Sequence, residues 1–149
     1  MKKKIKVVLV NLKNREIFVD DGVVVNELLS YLNKKEEFIA AKVNNEVTSL
    51  SYKIHVTSRV EFITVNDPLG MEVYRRSLSF LLEKVTKKLF PDRQLKIGHS
   101  LGPGYYFDLI GEELLTKEHL KSIEEEMKRE VELDLPITRE KISYEDALE

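Results

Sequence analysis

The sequence contains no cysteine and no tryptophan, and it has only three histidines and four prolines among 149 residues. Without cysteine the chain can form neither a disulfide framework nor a thiolate metal site, and it has no cysteine nucleophile. No apolar run approaches the ~18 residues needed to span a membrane. The GxxxxGK[ST] pattern of a phosphate-binding P-loop is also missing. These absences favour a protein that does not enter a membrane, with the cytoplasm as its default location.

Charge is distributed unevenly along the chain. Residues 1–66 carry 11 Lys or Arg and 8 Asp or Glu, whereas residues 67–149 carry 13 and 18. Neither part has the large basic excess of a dedicated nucleic-acid-binding protein. Apolar residues make up 42% of the chain, which is enough to bury a core. The composition is therefore that of one medium domain or two small ones.

The first 66 residues alternate between strand-like and helical patterns. Apolar residues at Val25, Leu28, Leu29 and Leu32 have the spacing of an amphipathic helix of two to three turns. Asn44-Asn45 favours a tight turn, because asparagine tolerates positive φ. Four segments have strand character: Lys4–Val10, Glu16–Val19, Phe38–Val43 and Val60–Val65. The order ββαββ around a single helix predicts a β-grasp domain over residues 1–66.

The proline and glycine of NDPLG, residues 66–70, predict a domain boundary, with an α+β domain over residues 67–149. The glycine-rich GHSLGPG, residues 98–104, is predicted to be a loop. Thr116 is a good N-cap for a second helix. The predicted elements are a helix over Met71–Phe90, strands over Leu95–Ile97, Tyr105–Ile110 and Ile137–Ile142, and a helix with Leu120, Ile123, Met127 and Val131 buried.

Residues in and after the predicted loop have the most site-like chemistry. His99 and Ser100 lie in it, and loops between strands often carry function. On the following strand, alternation places Tyr106 and Asp108 on one face. One interpretation is a groove with an aromatic wall and a carboxylate; the other is a tight turn with an ordinary strand. The three histidines, His55, His99 and His119, are too scattered to predict a metal site.

Several stretches resemble a known pair of domains. AAKVNNEVTSLSYKIHVTSRVEFITVND, residues 40–67, is similar to the end of a TGS domain, the small β-grasp module of threonyl-tRNA synthetases and of some GTPases. LFPD, KIG and GYYFDL, taken together, resemble the editing domain that threonyl- and alanyl-tRNA synthetases share. The resemblance runs through the whole chain in order, and it implies a TGS-like domain followed by a partial editing-like domain.

The stretch RRSLSF, residues 75–80, departs from the editing family. The family carries H-x-x-x-H there, and the corresponding residues of this chain are Arg76 and Phe80. Arginine stays protonated at neutral pH, so it cannot act as a base, and phenylalanine offers no proton chemistry. The resemblance thus implies a site without catalytic residues. Two roles remain open for the Phe80 side chain. It either fills the abandoned site as part of the core or stacks on a base.

With its histidines replaced, the domain pair also resembles the N-terminal region of uridine kinase-like proteins, in which such domains precede a kinase domain. That resemblance implies that the chain is the non-catalytic, ligand-binding N-terminal piece of such a protein. It also implies intramolecular contact with a C-terminal kinase domain. ATP and Mg²⁺ are then expected only in that kinase domain, and no cofactor in this chain. The alternative is a diverged aminoacyl-tRNA editing or threonyl-tRNA synthetase fragment, and a third hypothesis is a partner-binding module that offers a sheet edge.

The predicted ligand pocket combines the helix residues with those around the glycine-rich segment. The expected ligand is a nucleotide or the 3′ end of an RNA, and an anion such as phosphate is expected to bind near Arg76. The predicted pocket residues are Arg76, Ser77, Phe80, Lys96, His99, Gly104, Tyr106 and Asp108.

Overall fold

A computed structural model describes residues 3–32, 37–102, 104–111, 114–137 and 142–147. Its contacts divide the chain into unit 1, Met1–Leu78, and unit 2, Ser79–Glu149. The division falls inside a helix, whereas the boundary predicted from the sequence lies just before that helix; the boundary at residue 66 stays a prediction. Both units mix strands with helices, so the predicted α+β class is confirmed.

Unit 1 is built on a five-stranded mixed sheet. Its spatial order is β2-β1-β7-β4-β5, with β1 and β7 parallel and the other neighbours antiparallel. A further strand pair, β3 with β6, lies outside this sheet. The strands are β1 (Lys4–Leu9), β2 (Arg15–Asp20), β3 (Val23–Val24), β4 (Phe38–Val43), β5 (Glu46–Thr48), β6 (Lys53–Ile54) and β7 (Ser58–Thr64). The central parallel pair flanked by two hairpins is the predicted β-grasp arrangement.

The helix predicted from the spacing of Val25, Leu28, Leu29 and Leu32 is a 3-10 helix, Val25–Tyr31, rather than an α-helix. Val25 and Leu28 are both fully buried, as the three-residue period of a 3-10 helix requires. The N–H of Val25 donates to the carbonyl of Tyr52 at 2.9 Å, which fixes the start of the helix against a neighbouring segment. Another 3-10 turn, Val10–Leu12, joins β1 to β2.

The core of unit 1 lies between the sheet and the 3-10 helix. Alternate residues of the strands point into it, as the two-residue period of a strand requires. Asn44 and Asn45, with φ of 48° and 71°, form the predicted tight turn between β4 and β5. The core residues are Ile5, Val7, Leu9, Ile17, Val19, Val25, Leu28, Leu32, Ala41, Val43, Ile54, Val60 and Phe62.

After β7 the chain forms two long helices and a β-hairpin. Helix α1 spans Pro68–Leu89, and helix α2 spans Lys117–Glu132. The hairpin pairs β8 (Gln94–Leu101) with β9 (Gly104–Ile110). Part of the edge strand predicted over Ile137–Ile142 lies outside the described residues. Among the described residues, neither helix is long and apolar enough to cross a membrane.

Helix α2 differs from its predicted burial pattern. Ile123 is buried as predicted, but Leu120 and Val131 are exposed. The carboxylates of Glu126 and Glu130 are buried instead. They accept hydrogen bonds from lysines of α1, so cross-helix pairing rather than apolar packing sets this face.

Thr116 caps helix α2 as predicted. Its side chain accepts from the N–H of His119 at 3.2 Å, and Nδ1 of His119 accepts from the N–H of Thr116 at 3.3 Å. We expect Thr116→Ala to lower the free energy of unfolding by ~1 kcal/mol, because a helix N–H loses its acceptor. Urea denaturation followed at the amide signals of α2 measures this. Ser122→Ala, an exposed change on the same helix, is the control and should stay within ~0.5 kcal/mol of the parent; equal losses for both variants would contradict the capping role.

Candidate functional site

The predicted site residues on α1 are exposed. Arg76 and Ser77 belong to unit 1, and the hydroxyl of Ser77 donates to the carbonyl of Val73 at 3.0 Å, one turn earlier. Phe80 belongs to unit 2 and is 62% exposed. The interpretation that Phe80 fills the core of an abandoned site is therefore wrong, because its ring is not packed in an interior. The ring is instead available for contact with a ligand.

The remaining five predicted residues lie on the β8–β9 hairpin of unit 2. Lys96 faces Asp108 directly across the two strands, and the Asp108 carboxylate accepts from the N–H of Leu109 at 2.9 Å. Leu109 is buried, whereas Lys96, Tyr106 and Asp108 are exposed. Tyr106 and Asp108 thus share a face, as strand alternation predicts, and that face is directed to solvent.

The glycine-rich segment is not the predicted loop. Strand β8 continues through His99 and Ser100 to Leu101, and β9 already begins at Gly104. The register shifts between Ile97 and Ser100, where β8 has one residue more than β9, so a bulge lets the strand continue through residues that were expected to form a loop. His99 and Gly104 therefore occupy positions on a β-ribbon, where the strands fix their backbone.

The side chains of Tyr106 and His99 contact each other on the ribbon. Their ring centroids lie 6.2 Å apart with an interplanar angle of 19°, so the rings are stacked. A Cβ at Gly98 would lie 3.3 Å from the Tyr106 ring, so the ring lies directly over the glycine backbone. Tyr106 is nevertheless 51% exposed. The ribbon therefore presents a preformed aromatic surface with Lys96 on a neighbouring position of β8.

The other two histidines have structural partners. Nδ1 of His55 lies 2.8 Å from the Asp21 carboxylate, and His119 caps α2 and contacts the Phe90 ring edge at 5.2 Å between centroids. Within the part of the chain that the structure describes, no three His, Asp or Glu side chains are arranged to hold a metal ion. What the ribbon and α1 offer chemically is stacking, cationic contact and hydrogen bonding.

Sequence reasoning missed a groove in unit 1. It has a volume of about 480 Å³ and lies beside β2 and the 3-10 helix. Two exposed aromatic side chains, Phe18 and Tyr31, contribute to its walls. The signal in the sequence was Phe18 itself, an aromatic residue between Ile17 and Val19 at an outward position of an alternating strand.

Comparison with known proteins decides between the resemblances. A threonine–tRNA ligase of Desulforamulus reducens is 40% identical over 113 residues, which cover 76% of this chain and 18% of the relative. The chain is similar to the N-terminal region of threonine–tRNA ligases. The ligase of Halorhodospira halophila is 34% identical over 81% of the chain and 19% of the relative. That of Acetivibrio thermocellus is 31% identical over 87% of the chain and 21% of the relative. No protein-family model matches the chain.

The chain spans about a fifth of the length of these threonine–tRNA ligases. Their repeated similarity corrects the main functional hypothesis: the expected uridine kinase-like parent is wrong, and with it the expected contact with a kinase domain. The expectation of ATP and Mg²⁺ in a following domain depended on that parent. The alternative, an N-terminal fragment of a tRNA synthetase, agrees better with the relatives. That the eight residues on α1 and the ribbon serve one ligand stays a prediction.

Proposed function

We propose that this chain is the tRNA-contacting N-terminal region of a threonine–tRNA ligase-like protein, and that it binds the acceptor end of tRNA without hydrolysing the aminoacyl ester. The similarity to threonine–tRNA ligases supports the RNA partner. The relatives' name describes the ligation of threonine to tRNA. We propose a tRNA that accepts threonine as the partner of the parent of this chain. A cytoplasmic location is part of this proposal.

The observation that carries the proposal is the exposed stacked pair of Tyr106 and His99 on the ribbon. Unpaired bases at an RNA end bind by stacking on aromatic side chains, and each such contact is worth ~1–3 kcal/mol. Lys96 supplies a cation for the backbone phosphate beside such a base. Arg76 and Phe80 on α1 are each proposed as a separate RNA contact, Arg76 to phosphate and Phe80 to a base or ribose.

Contacts between charged groups contribute only a small part of the proposed binding free energy. Residues 67–149 carry more acidic than basic residues, and only Lys96 and Arg76 are proposed as phosphate contacts. Each phosphate contact on single-stranded nucleic acid changes log K by ~0.7 per unit of log salt concentration. The salt dependence of binding should therefore be shallow. A steep dependence would point to a larger basic surface than the one proposed.

We propose the absence of hydrolysis on the basis of the α1 side chains. The editing family that this chain resembles has two histidines, in an H-x-x-x-H motif, at the positions of Arg76 and Phe80. Neither replacement can accept a proton from water at neutral pH. Serine differs from threonine by one methyl group, so seryl-tRNA made on threonine tRNA is the appropriate misacylated probe. The chain should leave its ester at the spontaneous rate of hydrolysis, and faster hydrolysis in the presence of the chain would contradict the non-catalytic part of the proposal.

Binding is tested with a fluorescent microhelix that copies the acceptor stem and single-stranded 3′ end of threonine tRNA. Tyr106→Ala should weaken binding ~10-fold, since it removes the stacking surface. Tyr144→Ala removes another exposed tyrosine of unit 2 and is the matched control. Equal affinities for parent, Tyr106→Ala and Tyr144→Ala would sink the proposal that the ribbon contacts the RNA.

A further inference from the structure

One side chain of α1 holds a polar atom that the fold leaves unsatisfied. The Nε atom of Arg75 is shielded from solvent, and no acceptor in the part of the chain that the structure describes takes its hydrogen. Buried N–H groups in folded proteins nearly always have a hydrogen-bond partner, so an unsatisfied one is unusual. The Arg75 side chain is only partly buried. A ligand that approaches from solvent can therefore reach the guanidinium and supply an acceptor.

The arginines of α1 are not neutralised by carboxylates. Arg76 follows Arg75 in the chain and is exposed. Glu72 stands three residues before Arg75 and four before Arg76, and these are the spacings at which opposite charges pair along a helix. Among the described residues, however, neither arginine forms an ion pair. Two adjacent guanidinium groups therefore remain open to an anionic ligand.

The lysines of the same helix differ from the arginines in this respect. Lys84 and Lys88 pair with the buried carboxylates of α2, and the ammonium of Lys87 lies 3.8 Å from the carboxylate of Glu83. Together with the two arginines, these lysines are all the basic residues of α1. The cations of the helix thus divide into three that have carboxylate partners within the fold and two for which a ligand can serve as partner.

A phosphate group fits the donors that the arginines offer. The guanidinium donates from Nε and Nη in a planar fork, and this fork matches two oxygens of one phosphate. Lysine is a point charge and does not form this paired contact. Successive nucleotides of an RNA strand each carry one phosphate charge. Two adjacent guanidinium groups therefore suit such a backbone.

We propose that Arg75 and Arg76 form a phosphate-binding site on α1, and that Nε and one Nη of Arg75 donate to two oxygens of a single phosphate. Arg76 supplies the second cation. The inference rests on the proposed function for the source of the phosphate, which is the RNA backbone. It adds Arg75 to the phosphate contacts Lys96 and Arg76, and it does not involve the stacked rings of the ribbon.

The test follows the ¹⁵N-labelled chain by NMR, at the Nε–H signal of Arg75, during titration with inorganic phosphate. This signal should shift, because Nε gains an acceptor. Arg75→Lys keeps the charge but removes the fork, and it should weaken phosphate binding ~5-fold. Arg76→Gln removes an exposed cation and should weaken binding ~3-fold. Arg59→Lys changes an exposed arginine of β7, and as the matched control it should leave the affinity unchanged.

The acceptor-stem microhelix tests the source of the phosphate. Arg75→Lys should weaken microhelix binding ~5-fold as well, and an unchanged microhelix affinity would overturn the assignment to RNA. An Nε–H signal of Arg75 that does not shift, or equal phosphate affinities of the parent and Arg75→Lys, would overturn the site itself.

Two further variants keep the test decisive. If Arg75→Lys does not fold, Arg76→Gln still tests the site, because its side chain is exposed; a phosphate affinity equal to that of the parent would overturn the proposal. Tyr106→Ala with the microhelix affinity of the parent would overturn the ribbon contact and leave the site on α1 standing. The two proposals therefore fail through different results.

Discussion

Gly70→Ala is expected to destabilise unit 1 by ~3 kcal/mol, at the upper end of the usual cost of overpacking. A Cβ at Gly70 would overlap the carbonyl oxygen of Thr64 and would lie 2.8 Å from its carbonyl carbon. Both atoms are backbone, so no side-chain rotation relieves the contact. Gly70 is buried in the first turn of α1, where the helix leaves the end of β7.

The turn between β7 and α1 cannot easily move to make room. The Asp67 carboxylate accepts from the N–H of Thr64 at 2.7 Å and from its hydroxyl at 3.0 Å. The Asp67 carbonyl accepts from the N–H of Met71 at 2.9 Å. Asp67 therefore holds Thr64 against the first turn of α1, and an alanine at residue 70 would have to break this arrangement.

Urea denaturation, followed at the amide signals of β7, measures the Gly70→Ala effect. Gly104→Ala is the matched control, because the nearest atom to its Cβ would be the Leu101 carbonyl oxygen at an ordinary 3.8 Å. The control should change the free energy of unfolding by no more than ~0.5 kcal/mol. A Gly70→Ala variant as stable as Gly104→Ala would show that the turn is looser than described.

Glu130→Gln is expected to lower the melting temperature of unit 2 by several degrees at pH 7. The Glu130 carboxylate is buried in α2 and accepts hydrogen bonds from both Lys84 and Lys88. Glutamine keeps the shape but removes the charge that both lysines face. The carboxylate is shielded from water while both lysines stay about half exposed, so we expect its loss to cost more than the loss of a fully exposed pair but less than that of a fully buried one.

The same pair makes stability depend on pH. Hydrogen bonds from Lys84 and Lys88 hold the pKa of the Glu130 carboxyl below its ordinary value of 4.5. A lowered folded-state pKa contributes stability above the unfolded pKa, and this contribution is lost as the pH falls through the folded pKa. Melting curves of the parent should therefore drop as the pH falls below about 4.5. The Glu130→Gln variant should lose this component of the pH dependence.

Glu124→Gln on the same helix is the control. Its ion pair with Lys128, at 2.6 Å, has both side chains about two-thirds exposed. Exposed pairs contribute little, since water and salt screen them. Glu124→Gln should hardly change the melting temperature at pH 7. Equal effects of the two substitutions would contradict the special role of the buried carboxylate.

Unit 1 was the more predictable part of the fold. Strands β1, β2, β4 and β7 are rich in apolar and β-branched residues and are bounded by turn-prone or polar residues, so their positions follow from the sequence within one or two residues. Strands β3, β5 and β6 have only two or three residues each. Such segments carry too little pattern to be distinguished from turns, and they form because longer neighbours offer them partners.

In unit 2, predictions from local sequence patterns were wrong where contacts between distant segments determine the structure. Leu120 and Val131 had the helical spacing of core residues, but the lysines of α1 draw Glu126 and Glu130 inward instead. GHSLGPG reads as a loop because of its glycines, yet a bulge keeps His99 on the ribbon. Neither the cross-helix lysines nor the strand register is visible in a local pattern.

Local sequence patterns also predicted only part of the candidate site. Strand alternation predicted that Tyr106 and Asp108 share a face, and the structure places both on an exposed face, with Lys96 opposite Asp108 on β8. The stacking of His99 on Tyr106 depends on the bulge and on the missing side chain at Gly98. The groove beside β2 depends on residues far apart in sequence, such as Phe18 and Tyr31, which only the fold brings to one cavity.

We propose above all that this chain recognises the single-stranded 3′ end of tRNA. The most direct measurement compares its affinity for threonine tRNA with and without the terminal CCA, by fluorescence anisotropy at one salt concentration. Stacking of a terminal base on the ribbon predicts binding ~10-fold tighter when the CCA end is present. Equal affinities for the two tRNAs, or binding to neither, would contradict the account.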